Sequence, residues 1–95
     1  MRFRVITLSQ HEANLLGLAC WEDGNPLVVD MGKVGDMGLD ANGVFFSSNT
    51  KWGQIGTPLP LLIPSQSLAW AYIRELERMT EEELVYYFQG YLMKD

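Results

Sequence analysis

The residues able to do chemistry are few and far apart. The chain holds one histidine, His11, and one cysteine, Cys20. A thiol nucleophile needs a base within hydrogen-bond reach, and His11 is the sole imidazole that could serve. Nine positions separate the two, about two and a half turns if the segment is helical, which is out of reach. An extended arm gives no reason for contact either. His11 therefore reads as a surface or capping residue and Cys20 as a small apolar side chain. A single thiol also leaves no internal disulfide and no zinc site.

Asp30, Asp36 and Asp40 offer oxygen ligands on the glycine-rich stretch DMGKVGDMGLDANG. Their spacing does not match a calcium loop, which needs ligands on alternating residues, glycine at the sixth position and glutamate at the twelfth. Turn chemistry accounts for these aspartates as well. Gly32-Lys33-Val34-Gly35 has the form of a GXXG loop that grips a nucleic-acid backbone. Such a loop works between helices on a basic surface, and here the flanks look extended and the domain is acidic. No Gly-Lys-Ser or Gly-Lys-Thr follows, so a phosphate-cradling loop fails too. The expectation is no catalytic residue, no metal, no cofactor, and no enzyme.

What the chain has in excess is aromatic side chains near its C-terminus. PSQSLAWAYIRELERM and TEEELVYYFQGYLMK are two helical patterns with almost no loop between them. Ala69, Tyr72, Ile73, Leu76 and Met79 form one apolar stripe, and Leu84, Val85, Phe88 and Leu92 a second. Trp70, Tyr86 and one of Tyr87 or Tyr91 fall off those stripes. Outward aromatics are frequent anchors of protein recognition. The candidate partner-binding residues are therefore Trp70, Tyr86 and Tyr87, with Glu81 and Glu82 at the rim. A second candidate contact is the loop carrying Lys33, Asp36 and Asp40, since glycines 32, 35 and 38 predict a flexible or tightly turning segment.

The elements that must position these residues can be read in part. Phe3 to Leu8 is rich in β-formers and predicts a strand. Ser9-Gln-His-Glu12 is a capping-box pattern that would open a helix with Leu15, Leu16, Ala19 and Cys20 on one face. Gly17 interrupts that helix, and Glu22 and Asp23 would crowd its negative end. Leu15–Trp21 and Pro26–Met31 joined by Glu-Asp-Gly-Asn make a hairpin instead, and the balance of signals favours the hairpin. Asp40-Ala-Asn-Gly43 is a turn, with Val44–Phe46 a strand after it. Ser47 to Gly56 reads as loop apart from Trp52 and Ile55. The stretch Thr57-Pro-Leu-Pro-Leu-Leu-Ile-Pro64 must be extended, because proline removes donors and disfavours helix before it. It predicts a strap across the sheet edge with Leu59, Leu61, Leu62 and Ile63 inward, not a ligand for a proline-recognising domain. Ser65 or Ser67 caps the first C-terminal helix; Thr80 with Glu83 forms a capping box on the second.

The predicted architecture is α+β: a small antiparallel sheet of three to four strands with two C-terminal helices packed on one face. Residues 1–95 form a single domain, with 1–63 mainly strands and loops and 65–95 a helical pair. The apolar fraction of 47% and charged fraction of 20% are those of a globular chain. A net charge of −5 argues against direct affinity for nucleic acid or anionic lipid. No apolar run approaches the length of a membrane helix, and the N-terminus lacks a signal-peptide core. A cytoplasmic location is expected.

A compact, acidic, catalytically bare domain with surplus aromatics points to a protein–protein interaction module that acts by occupying a larger protein or complex. No motif assigns it to a family. In size and charge it is similar in character to phage and mobile-element inhibitors of host enzymes or defence complexes, anti-CRISPR proteins among them, which work in the host cytoplasm. The alternative is a structural subunit of a homo-oligomeric or virion-type assembly, where the aromatics bury against copies of the chain.

Overall fold

Alternating β-formers around two tight turns build the centre of the molecule. The computed structural model describes residues 2–47 and 57–89. Its strands are β1 (Arg4–Thr7), β2 (Leu27–Asp30), β3 (Asp36–Asp40), β4 (Gly43–Ser47) and β5 (Thr57–Leu59). Its helices are α1 (Gln10–Leu16), α2 (Gln66–Glu77) and α3 (Glu81–Tyr87), with a short 3-10 turn at Gly32–Val34. The five strands pair antiparallel in chain order, giving an α+β meander with one more strand than the upper count expected from sequence.

The structure departs from the sequence expectation at two segments. The segment after β1 is a helix, not a hairpin arm. Ser9 and Glu12 complete the capping box, and Gly17 adopts φ 72° at the C-cap. The glycine that looks like a mid-helix break is the residue that ends the helix, because only it enters the left-handed region without strain. Glu22 and Asp23 then lie past the helix, in a turn closed by a Trp21–Gly24 bridge. The second correction is β3. The glycine pattern predicts a loop over Asp36–Asp40, yet this is the middle strand and buried along its whole length. Gly38 sits between Val28 and Phe45 in the register. Packing from both neighbouring strands overrides the poor intrinsic β-preference of Asp, Met and Gly.

The register sorts side chains onto two faces. Val5, Val29, Met37 and Phe46 form one cross-strand row, and Leu27, Leu39, Val44 and Leu59 the next. These belong to the main core, closed from above by Ala69, Ile73 and Leu76 of α2 and by Leu84 and Phe88. Phe88 stacks on Phe46 with ring centroids 4.5 Å apart. The two C-terminal helices thus cover one face of the sheet, as expected.

The opposite face carries Val28, which is buried along with Leu8 and Ala13 outside the main cluster. Asp40, on that same face, receives the chain leaving α1 through the Ala19 N–H. So Ala19, on the exit from α1, lies at the second face. Edge position explains Pro58 within β5, since an edge strand need not donate outward.

Candidate interaction surface

Capping fixes where the C-terminal helices begin, and so which side chains they display. Ser65 Oγ accepts from Leu68 N at 3.2 Å. Asp23, from the turn after α1, accepts from Gln66 N at 2.7 Å and from Ser67 N and Oγ at 3.1 Å. Three first-turn amides of α2 are therefore satisfied, two of them by a residue over forty positions away. The Gln66 N–H, first among several bonds, holds the Asp23 carboxyl below the usual carboxylate range. Trp21 supports the same corner by donating Nε1–H to Ile63 O at 2.8 Å. At α3, Thr80 Oγ1 accepts from Glu83 N at 3.1 Å while Glu83 Oε1 accepts from Thr80 N at 2.9 Å. The expected capping box is present.

On α2, Ala69, Ile73 and Leu76 face the core. Trp70 and Tyr72 are two residues apart, about 200° around a helix, so they lie on opposite flanks of that stripe. Both are half-buried against the core. Tyr72 places its hydroxyl 2.9 Å from that of Tyr87. The aromatics grouped in the sequence as one surface are thereby divided: Tyr87 sits on the Tyr72 flank and Trp70 on the other.

On α3, Leu84 is buried and Phe88 just beyond the helix is buried too. Tyr86 falls about 180° from their mean direction and is 79% exposed. Tyr87, on the flank, is 42% exposed and stands edge-on to Phe88 at 4.8 Å. Glu81, Glu82 and Glu83 are exposed in the first turn. Glu82 and Tyr86 are four residues apart and share the outward side. Tyr91, Leu92, Trp52 and Ile55 lie outside the described residues.

Where the chain leaves β5 it turns tightly, with Leu61 N–H bonded to Leu59 O at 2.8 Å. A shallow cavity of about 200 Å³ opens there, lined by Leu59, Pro60, Leu61 and Tyr87. The sequence predicts Leu61 and Leu62 inward, but they are exposed, Leu62 at 68%. Alternation from Leu59 and Ile63 turns Leu62 outward, and the tight turn at Pro60 takes Leu61 out of phase with them. Leu59 and Ile63 take the inward places.

The second candidate contact is reshaped by β3. Lys33 is exposed on the 3-10 turn, whereas Asp36 and Asp40 are buried within the strand. Asp36 lies opposite Asp30 and Ser47. Asp40 Oδ1 accepts from Asn42 N and Gly43 N at 2.8 and 3.0 Å, and Oδ2 accepts from Ala19 N at 3.0 Å. Its carboxylate fastens the β3–β4 turn to the α1 exit. His11 is exposed, and the Cys20 thiol meets Gln10 Oε1 at 3.4 Å instead. Among the described residues no three His, Cys, Asp or Glu side chains cluster to hold a metal. None of the helices there is long and apolar enough to cross a membrane.

Comparison of the chain with protein-family models, with curated proteins and with solved structures finds no match.

Proposed function

We propose that this chain is an acidic protein–protein interaction module that binds a larger protein through the outer side of α3 and the flank it shares with α2. The observation that carries the reading is Tyr86: a large aromatic ring, 79% exposed, on a helix anchored from behind by Leu84 and Phe88. Such a ring buries much area on binding and loses few rotamers. Tyr87 extends the apolar contact, and Glu81 and Glu82 form an acidic rim. Trp70, on the far flank of α2, is a packing residue in this reading.

Small size and an acidic balance support a more specific version. The module would be an inhibitor carried by a phage or mobile element, occupying a host enzyme or defence complex in the host cytoplasm, as anti-CRISPR proteins do. The test is affinity capture from lysate of the source cell with parent and Tyr86→Ala baits, read by mass spectrometry. A protein retained by the parent and lost with Tyr86→Ala is expected. Equal retention by both baits overturns the reading. Sizing should show a monomer; a ring or other defined oligomer transfers the reading to a structural subunit.

A further inference from the structure

The cavity beside Tyr87 narrows what the partner must present. It is lined by the buried Leu59 and by Pro60, Leu61 and Tyr87. At about 200 Å³ it is smaller than the roughly 300 Å³ at which small-molecule pockets begin. One aliphatic side chain fits such a space, and a nucleotide-sized cofactor does not. The Tyr87 hydroxyl, whichever way its bond to Tyr72 runs, keeps further hydrogen-bonding capacity for a peptide backbone at the lip.

Charge favours one kind of chain across it. Glu83 is one turn before Tyr87 on the same flank, and Glu82 is one turn before Tyr86. Glu75 lies on the Tyr72 side of α2 by the same helical spacing, but it is already paired with Arg78 at 3.3 Å, so the rim charge rests on α3. Arg2 and Arg4 are on the far edge of the sheet from β5, and among the described residues Lys33, exposed on the 3-10 turn that packs on α3, is outnumbered there by Glu81, Glu82 and Glu83. A phosphate backbone is repelled by this rim. A second copy meeting the same patch about a two-fold axis would set glutamates against glutamates.

Resting on the proposed interaction role, we propose that the cavity receives a single aliphatic side chain from a basic segment of the partner. Lysines or arginines on either side of that anchor meet Glu82 and Glu83. The site is a short-peptide recognition groove between the β5 exit and α3, continuous with Tyr86.

Selection of random peptides displayed on phage, followed by titration of the most enriched synthetic peptide, tests this. Enriched sequences should carry one leucine, isoleucine or methionine between basic residues. Leu61→Ser, which removes an exposed wall, should weaken that peptide at least about tenfold, and Glu82→Lys should weaken it and flatten its salt dependence. The melt of Leu61→Ser should match the parent because Leu61 is exposed, whereas Glu82→Lys puts a cation in the first turn of α3 and should lower its melt slightly. Acidic consensus sequences, no enrichment, or affinity indifferent to Leu61→Ser each overturn the inference. If Leu61→Ser binds normally while Tyr86→Ala does not, the α3 surface stands and only the cavity assignment falls. If both bind normally, both readings fall. Self-association abolished by Leu61→Ser makes a second copy the occupant and also overturns it.

Discussion

Tyr72 and Tyr87 meet hydroxyl to hydroxyl at 2.9 Å, across the corner that Thr80 makes between α2 and α3. Behind them Tyr87 stands edge-on to Phe88, and Phe88 stacks on Phe46 of the central sheet. Three rings in contact thus fasten the outer side of α3 to the core. A surface held this firmly loses little freedom when a partner docks, so more of each contact appears as affinity.

Tyr86 and Trp70 are predicted to part company when each is truncated. Tyr86→Ala removes an exposed ring and should weaken partner binding by about 2 kcal/mol or more while leaving the melting temperature unchanged. Trp70→Ala removes a ring half-buried against the core and should cost about 2 kcal/mol of stability without touching affinity. Titration and thermal melts on the same two variants check both halves. Loss of binding with Trp70→Ala at unchanged stability would return Trp70 to the interface.

Asp40 is predicted to be the costliest polar residue to replace. Its carboxylate serves three backbone amides from two segments and is buried. Asp40→Ala strands those donors and should destabilise by about 3 kcal/mol. Asp40→Asn keeps one acceptor oxygen but points an amide at one of the N–H groups, for a loss of about 1–2 kcal/mol. Urea unfolding of the three proteins gives the order parent, Asn, Ala; any other order refutes the assignment.

The difference between legible and hidden features follows from range. Thr80, Glu83, Ser9 and Glu12 act within one turn, and their capping boxes can be read directly from the sequence. So can the turn at Asp40–Gly43, although not the Ala19 amide that Asp40 also reaches. β3 is hidden because Met37, Gly38 and Leu39 become strand only through neighbours on both sides. Asp23 looks like a hairpin turn residue, and nothing local reveals that it caps a helix starting at Gln66. At the candidate surface Tyr86 and Tyr87 are visible as residues off the apolar stripe. The separation of Trp70 from them needs the Tyr72–Tyr87 bond, which joins two helices.

Asp23 should make stability depend on acid. Its folded-state carboxyl titrates below the ordinary value, chiefly through the Gln66 N–H. A depressed folded value means the contribution is complete above the unfolded value, about pH 4, and is lost as pH falls through the folded one. Asp23→Asn should lower the melting temperature at neutral pH, with the gap to the parent closing below pH about 4. A gap constant from neutral pH down to acid would show that the carboxylate charge is not what α2 uses.

Thr80→Ala should cost about 1 kcal/mol, since the Glu83 amide loses its acceptor at the α3 cap. Thr80→Ser keeps the hydroxyl and should recover most of that loss. Coincident melts for Ala and parent would mean that packing of Leu84 and Phe88 alone holds the helix.

Glu81 and Glu82 are predicted to govern the rate at which the partner arrives more than the time it stays. Both are exposed at the rim of the Tyr86 surface, where water and salt screen any single pair. Their summed field still acts on an approaching basic surface before contact. Changing both to glutamine should slow association several-fold at low salt, leave dissociation nearly unchanged, and flatten the dependence of association on ionic strength. Tyr86→Ala should do the reverse, speeding dissociation with little change in association. Surface plasmon resonance at two salt concentrations separates these patterns. If the double glutamine variant instead accelerates dissociation at high salt, the glutamates make desolvated contacts at the centre of the interface, and the acidic rim is wrongly placed.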